Sequence, residues 1–387
     1  MRFLTTLVAA AALVPALSVA DSIKVGIAND ISGPFSALGA EARDGFNLAI
    51  KQLGGKLGGQ PAEFLQTDMG GNPDQARQLV TRYIQRDDID FFTGPIGSNV
   101  ALAVGPALFA AKVPYLSNNP GPSQYAGARC NPYWFGTSYQ NDAFHEAAGK
   151  VAADRGFKKV LIMAPDYPAG KDALTGFKRG YQAEVAEEVY TKLGQLDYAA
   201  ELAQIRAAKP DAVFIFLPGG MGINFIKQFV NGGLSKTTQL FGPGFSADED
   251  IIKAVGEPML GMVNASQWGH DMDNPQNRRF VADFQKAYGR LPSLYASQGY
   301  DAAMLMDSAV RAVNGRLDDK EALLKALKAA DFKSVRGDFR FNHNQYPIQD
   351  YYMRVIHKDA QGRVTNKTMG VVFEDHGDAY AQDCRMK

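Results

Sequence analysis

The feature that most constrains the fold of this chain is a repeated alternation of short apolar runs with amphipathic segments. IKVGIAND (23–30) opens it as a β-type run, and the loop SGPFSALG (32–39) follows. Leu38, Ala42, Phe46, Ala49, Ile50 and Leu53 then recur at three- and four-residue spacing until Gly54-Gly55 ends the helical pattern. The unit repeats in AEFLQTD (62–68), with Asn72 as N-cap, Pro73 at the first helical position, and Ala76, Leu79, Val80, Tyr83 and Ile84 along one face. IDFFTGP (89–95) and VPYLSNN (113–119) are further strands, the first followed by GSNVALAVGPALFAA and the second by a long loop. Such alternation predicts a doubly wound, mostly parallel sheet.

The pattern restarts after Asp142. Helical AFHEAAGKVAADRG precedes the strand KKVLIMAPD, and the strands AEVAEEVY, DAVFIFLPGG, TQLFGPG and MLGMVNASQ follow, with helical KDALTGFKRGYQ and YAAELAQIRAAKP between the first of them. Three helical stretches come next (NRRFVADFQKAYG, LYASQGYDAAMLMDSAVRAV and KEALLKALKAA), and the chain ends in a hairpin with its turn near Gly362. A chain of 387 residues exceeds the roughly 250–300 at which single cores stop growing. The expected fold class is therefore α/β, with two doubly wound, three-layer lobes of similar size.

Composition narrows the function. Hydrophobic residues at 46% and charged residues at 21% rule out wholesale disorder, while 41 Lys plus Arg against 41 Asp plus Glu, with no polybasic run, offer nucleic acid no electrostatic footprint. Arg2, the uncharged stretch Phe3 to Leu17 and the small residues Ser18-Val19-Ala20 read as a cleaved secretory signal over residues 1–20, with Asp21 as the mature N-terminus. The stretch is short of the roughly 20 apolar residues that span a bilayer. No cysteine follows the cleavage site and no later run is apolar enough to span, so a freely soluble periplasmic protein is expected. In an exported protein the only two cysteines, Cys130 and Cys384, are expected to pair.

No catalytic motif stands out. GPGFSA (242–247) fits a loose dinucleotide pattern, but a proline separates its glycines and no acidic residue ends the next strand, so it reads as a strand-to-helix turn. There is no GxSxG, P-loop or HExxH, and His145, His270, His343, His357 and His376 show no metal spacing and are read as surface residues. No enzyme activity, cofactor or metal is expected. Three loops at successive strand ends carry the chemistry instead: SGPFSALG, TGPIGSNVA and SNNPGPSQ. In open α/β sheets ligands bind at those ends, and the free N–H groups of a helix N-terminus beside the Ser98 hydroxyl suit a carboxylate.

Together the leader, IKVGIANDISGPFSALGAEARDGFNLAI, GPIGSNVA, VPYLSNN, KKVLIMAPDYPAGKDAL, DAVFIFLPGG and LFGPG resemble the periplasmic solute-binding proteins of ABC importers, of the leucine/isoleucine/valine-binding type. The resemblance runs through nearly all of the mature chain. It implies a type I periplasmic binding fold: lobe 1 from 21–137 and 269–345, lobe 2 from 138–268 and 346–387, with crossings near Phe135–Tyr139, Gln267–His270 and Asn344–Ile348. It implies a monomer that hands a small molecule to a membrane permease. Ser98 matches the family's carboxylate-binding serine, with Asn119 and Gly121 in the second carboxylate loop. Leu38 falls where the family sets an aromatic residue, and Tyr167 falls in the second lobe's aromatic loop, although Ala169 replaces a tyrosine there. Gly244 stands where amino-acid binders carry an acid against the ligand's ammonium.

That last departure shapes the expected ligand. A desolvated ammonium needs a partner charge, and Asp248 or Glu249 supplies one only if the helix after Gly244 starts close to the cleft. Phe35, Tyr167, Phe245, Trp268 and Tyr300 meanwhile fall near cleft segments, and Gln298 completes the expected ligand-binding set. The combination resembles the branch of the family that binds aromatic carboxylates. Branched-chain or other hydrophobic amino acids remain the alternative, as does a sensing module for a separate receptor.

Overall fold

The structure, a computed structural model, describes residues 22–386; the expected leader lies outside them. The first lobe is built on six strands: β1 (Ile23–Asn29), β2 (Lys56–Leu57), β3 (Gln60–Asp68), β4 (Phe91–Thr93), β5 (Tyr115–Ser117) and β6 (Trp134–Gly136). They lie in the order β2-β3-β1-β4-β5-β6, parallel except for the β2–β3 hairpin. The second lobe holds β7 (Val160–Pro165), β8 (Val185–Thr191), β9 (Ala212–Ile215), β10 (Gln239–Pro243), β11 (Val263–Ser266), β12 (Arg340–Phe341), β13 (Pro347–Lys358) and β14 (Val364–His376). Its order is β12-β13-β11-β10-β9-β7-β8, with β14 also paired to β13; β7 to β11 run parallel and β12 to β14 are antiparallel additions at one edge. The central strands β7 and β9 are buried throughout, as a sheet covered by helices on both faces requires.

Each sheet has a point where the winding reverses. β1 is flanked by β3 on one side and β4 on the other, and β7 likewise by β8 and β9. The loops leaving the carboxyl ends of such neighbouring strands diverge and leave a crevice. The two crevices face each other across the cleft.

The chain passes between the lobes three times, and β12, assigned by sequence to the first lobe, pairs into the second-lobe sheet. It leaves the first sheet at Gly136 and enters the helix Asn141–Asp154 of the second lobe, then leaves β11 at Ser266 for the helix Pro275–Tyr288. The helix Leu294–Ala312 packs along Ser36–Gln52 of the first lobe so closely that a Cβ on Gly45 would lie 1.9 Å from the Ala296 carbonyl oxygen. The third passage lies between the helix Lys320–Ala329 and β12, ahead of the hairpin turn that joins β12 to β13. Arg336 ties the first and third crossings together: its buried guanidinium donates to the backbone oxygens of Thr137 (2.7 Å) and Ser138 (2.9 Å), to Gln349 Oε1 (2.7 Å) and to Asp301 (3.2 Å). A buried cation is tolerated when its donors are paired in this way.

Two further expectations need correction here. The C-terminal residues, assigned by sequence to the second lobe, leave β14 at His376 and return to the first: Cys384 is disulfide-bonded to Cys130, with Cα atoms 5.6 Å apart, and Asp378 accepts from Asn344 Nδ2 at 2.9 Å. His145, read as a surface residue, is buried on the inward face of its helix. Replacing both cysteines by serine is expected to lower the unfolding free energy by about 2 kcal/mol or more. Urea denaturation of the purified protein measures this, and an unchanged midpoint contradicts it.

Candidate functional site

The loops from both winding reversals meet in one chamber. From the first lobe come Phe35 and Leu38 after β1, Ile96 and Ser98 after β4, Asn119 after β5, and Tyr295 from the helix Leu294–Ala312. From the second lobe come Tyr167 and Ala169 after β7, Phe216 and Pro218 after β9, and Phe245 after β10, while Tyr139, Asn141 and His145 follow from the first crossing. The space between them is about 320 Å³. A wider groove of about 1590 Å³ beside the crossings, edged by Lys333, Asp338, Arg340 and Glu374, receives none of the winding-reversal loops.

Aromatic rings dominate the walls. Phe35 faces Tyr167 across the cleft with centroids 6.2 Å apart, Tyr167 stacks on Phe216 at 6.3 Å and 8°, and Phe245 contacts both Tyr139 (5.0 Å) and Tyr295 (5.9 Å). Burial raises the phenols of Tyr139, Tyr167 and Tyr295, so all three stay neutral. Among the described residues, no Asp, Glu, Lys or Arg lines the chamber.

The polar groups cluster at the first-lobe side. Ser98 starts the helix Ser98–Ala110, whose earliest internal bonds run from the Val100 (3.1 Å) and Ala101 (3.0 Å) amides to the Gly97 carbonyl, so the amides of Ser98 and Asn99 precede them. Ser98 Oγ accepts from Asn141 Nδ2 at 3.2 Å, which leaves its own proton to donate. Asn119 donates to the Ile96 carbonyl (2.9 Å) and accepts from the Tyr139 hydroxyl (3.1 Å), fixing both neighbours. Beneath them Asp30 accepts from the amides of Gly71 (2.7 Å) and Ile96 (2.8 Å), pulling the loops after β3 and β4 together; burial pushes its carboxyl up to about 6 against those two bonds.

Phe35, Leu38, Ser98, Asn119, Tyr167 and Phe245 are thus brought together, and five other expected residues lie outside the lining. Gly121 sits behind it, exchanging backbone and side-chain bonds with Asn141. Trp268 is turned into the core, its indole N–H donating to Asn277 Oδ1 at 2.8 Å. Gln298 is buried in its helix away from the wall. Tyr300 packs on Phe280 and donates to Gln52. Gly244 also stands back: a Cβ there would lie 2.8 Å from Arg354 Nη2, so the position that carries an acid in amino-acid binders faces a guanidinium. That guanidinium is held by Asp248 at 2.9 Å, and Glu249 accepts from Thr365 and Asn366, so neither acid reaches the chamber. The residues that sequence reasoning missed are Ile96, Tyr139, Asn141, His145, Phe216, Pro218 and Tyr295.

Closure is held by polar contacts between the lobes. Asp172, on the second-lobe helix Pro168–Tyr181, accepts from the backbone N–H (3.1 Å) and hydroxyl (2.8 Å) of first-lobe Ser123, and from Asn141 Nδ2 (2.9 Å). Burial and the nearby charge of Asp172 push the Asp142 carboxyl up to about 7.

A family model described as periplasmic binding protein matches residues 22–361. A Leu/Ile/Val-binding protein homologue from Brucella melitensis is 30% identical over 96% of this chain and 97% of its own length. Among solved structures, the solute-binding protein of an ABC transporter from R. palustris, in complex with benzoate, superposes with a TM-score of 0.89 at 31% identity, covering 94% of this chain and 100% of the other. A solute-binding protein from Rhodopseudomonas palustris BisB5, in complex with 3,4-dihydroxybenzoic acid, gives 0.87 at 31% identity over 92% and 99%. The fold they share with this chain is the type I periplasmic binding fold.

Substituting Asp172→Ala removes the bonds to Ser123 that exist only when the lobes meet. It is expected to weaken ligand binding about tenfold, at roughly 1.4 kcal/mol per decade, and to enlarge the radius of gyration of the liganded protein in small-angle scattering. Unchanged affinity and radius together contradict the role.

Proposed function

Since the chain belongs to the periplasmic binding protein family of ABC importers, we propose that it captures a small aromatic carboxylate between its lobes and delivers it to a membrane permease. The observation that carries this reading is a chamber walled by aromatic rings and free of any acidic side chain. A carboxylate entering it meets the Ser98 hydroxyl and the amides that open the Ser98–Ala110 helix, where the helix dipole favours negative charge. The ring lies between Phe35, Tyr167 and Phe245, surfaces that recover the apolar part of its transfer free energy. An α-ammonium has no counter-charge there, and its nearest candidate position, Gly244, is occupied from behind by Arg354. The benzoate and dihydroxybenzoate complexes of the two R. palustris neighbours support the reading. The Leu/Ile/Val-binding homologue supports the competing one, a hydrophobic amino acid. With neither a nucleophile–base pair nor a charged acid–base group in the chamber, a binding role rather than catalysis fits the site.

Calorimetry on protein stripped of ligand by unfolding and refolding separates the two. Benzoate-type acids are expected to bind well above their neutral amides and above phenylalanine and leucine, because the amide replaces an acceptor by an unmatched donor. Ser98→Ala is expected to weaken the acid by roughly ten- to a hundredfold, the loss of one charge-assisted hydrogen bond of about 1.5–3 kcal/mol. Tight leucine binding with no response to any aromatic acid overturns the assignment.

A further inference from the structure

His145 stands in the wall of the chamber, 1% exposed, with one ring nitrogen committed and the other bare. Nδ1 lies 2.6 Å from the Asn141 carbonyl oxygen, one helical turn back, and a carbonyl only accepts, so Nδ1 carries the proton. Nε2 is buried and has no hydrogen-bond partner among the described residues. Around the ring stand phenylalanines: Phe216 edge-on at 4.7 Å, Phe144 at 5.7 Å, Phe245 at 6.0 Å and Phe214 at 6.2 Å, none of which offers a donor. Burial in this apolar cage lowers the imidazole to about 4, which keeps it neutral at physiological pH and its second nitrogen an acceptor.

Placed in a binding chamber, a buried lone pair without a partner is satisfied by what the chamber takes in. Asn141, whose carbonyl holds His145, also donates to Ser98 at the carboxylate side, and His145 follows it by one turn of the same helix.

We propose that His145 is a specificity-determining residue, whose Nε2 accepts a hydrogen bond from a hydroxyl carried on the ring of the ligand, and that the natural ligand is a ring-hydroxylated aromatic acid rather than the unsubstituted one. This rests on the aromatic-carboxylate reading above and deepens it. An unsubstituted ring leaves Nε2 buried and bare, and a methoxy group in place of the hydroxyl sets an acceptor against an acceptor.

The test compares benzoate, 3- and 4-hydroxybenzoate and the matching methoxybenzoates by calorimetry on the wild-type protein and on His145→Phe. In the wild type the tighter hydroxybenzoate is expected to bind roughly ten- to a hundredfold better than benzoate and better than its methoxy analogue. In His145→Phe the ratio of hydroxybenzoate to benzoate affinity is expected to fall to about one. A second measurement avoids substitution altogether: in wild-type protein labelled with ¹⁵N-histidine, the resonance of the unprotonated Nε2 is expected to move upfield on addition of the hydroxybenzoate and not on addition of benzoate. Equal affinities in the wild type, a preference that survives in His145→Phe, or an Nε2 resonance indifferent to the hydroxyl overturns the proposal while benzoate binding itself stands. Absence of binding by every one of these acids overturns the underlying aromatic-carboxylate reading instead.

Discussion

One asparagine holds the site in its working shape. Asn141 donates its backbone N–H to the Gly121 carbonyl at 2.8 Å and accepts from the Gly121 amide through Oδ1 at 3.1 Å. Its Nδ2 divides between Ser98 and Asp172, and its carbonyl fixes the tautomer of His145. Every hydrogen-bonding group of the residue is engaged, and the partners come from both lobes. The first crossing, the Ser98 side of the chamber, the interlobe contact at Ser123 and the imidazole in the wall thus share a single residue at the start of one helix. No aliphatic residue reproduces this, and aspartate would offer an acceptor where Ser98 and Asp172 both need a donor.

Under the proposed function, the chamber holds an anion without a counter-ion. Burying a carboxylate costs several kcal/mol unless its oxygens are hydrogen-bonded. A lysine or arginine would offset that cost but would attract any anion. Hydroxyl and amide donors fixed by the protein are directional instead, and they face a lining that provides no cation. Selectivity then comes from what the rest of the ligand must match, namely aromatic faces on both sides and the few polar atoms left among them. The cost of arranging the donors is met in folding, through Asp30, Asn119 and Asn141, before any ligand arrives.

The two lobes and the strand-end loops were legible because their signals are local. Period-two and period-3.6 patterns, the Asn72-Pro73 helix start and the Gly/Ser/Pro loops announce where strands end, and in a doubly wound sheet strand ends are where ligands go. Phe35, Ser98, Asn119, Tyr167 and Phe245 all stand in such loops. Trp268 and Tyr300 misled because an aromatic near a cleft segment packs into the core just as readily; which face it takes depends on neighbours such as Asn277 and Gln52 that are distant in the chain. His145 and Asn141 were hidden for the opposite reason. They lie on a helix whose small and apolar residues read as ordinary packing, and their only local sign is a polar pair four residues apart on the buried side. The return of the C-terminal tail to the first lobe carried no periodic signal at all beyond the cysteine itself.

That return changes what kind of object the protein is. From Cys130 the backbone runs through all three crossings to Cys384, where the disulfide joins it back to its start. Residues 130–384, with the whole second-lobe sheet and the first-lobe segment that returns from it, therefore form one covalent ring, to which residues 22–129 are attached. A single cut at any exposed peptide bond between residues 130 and 384, within a crossing included, opens the ring but leaves one molecule. Only a second cut, or a reductant, separates the pieces. The ring thereby preserves the pairing of the lobes through damage that would dismantle an unbridged chain.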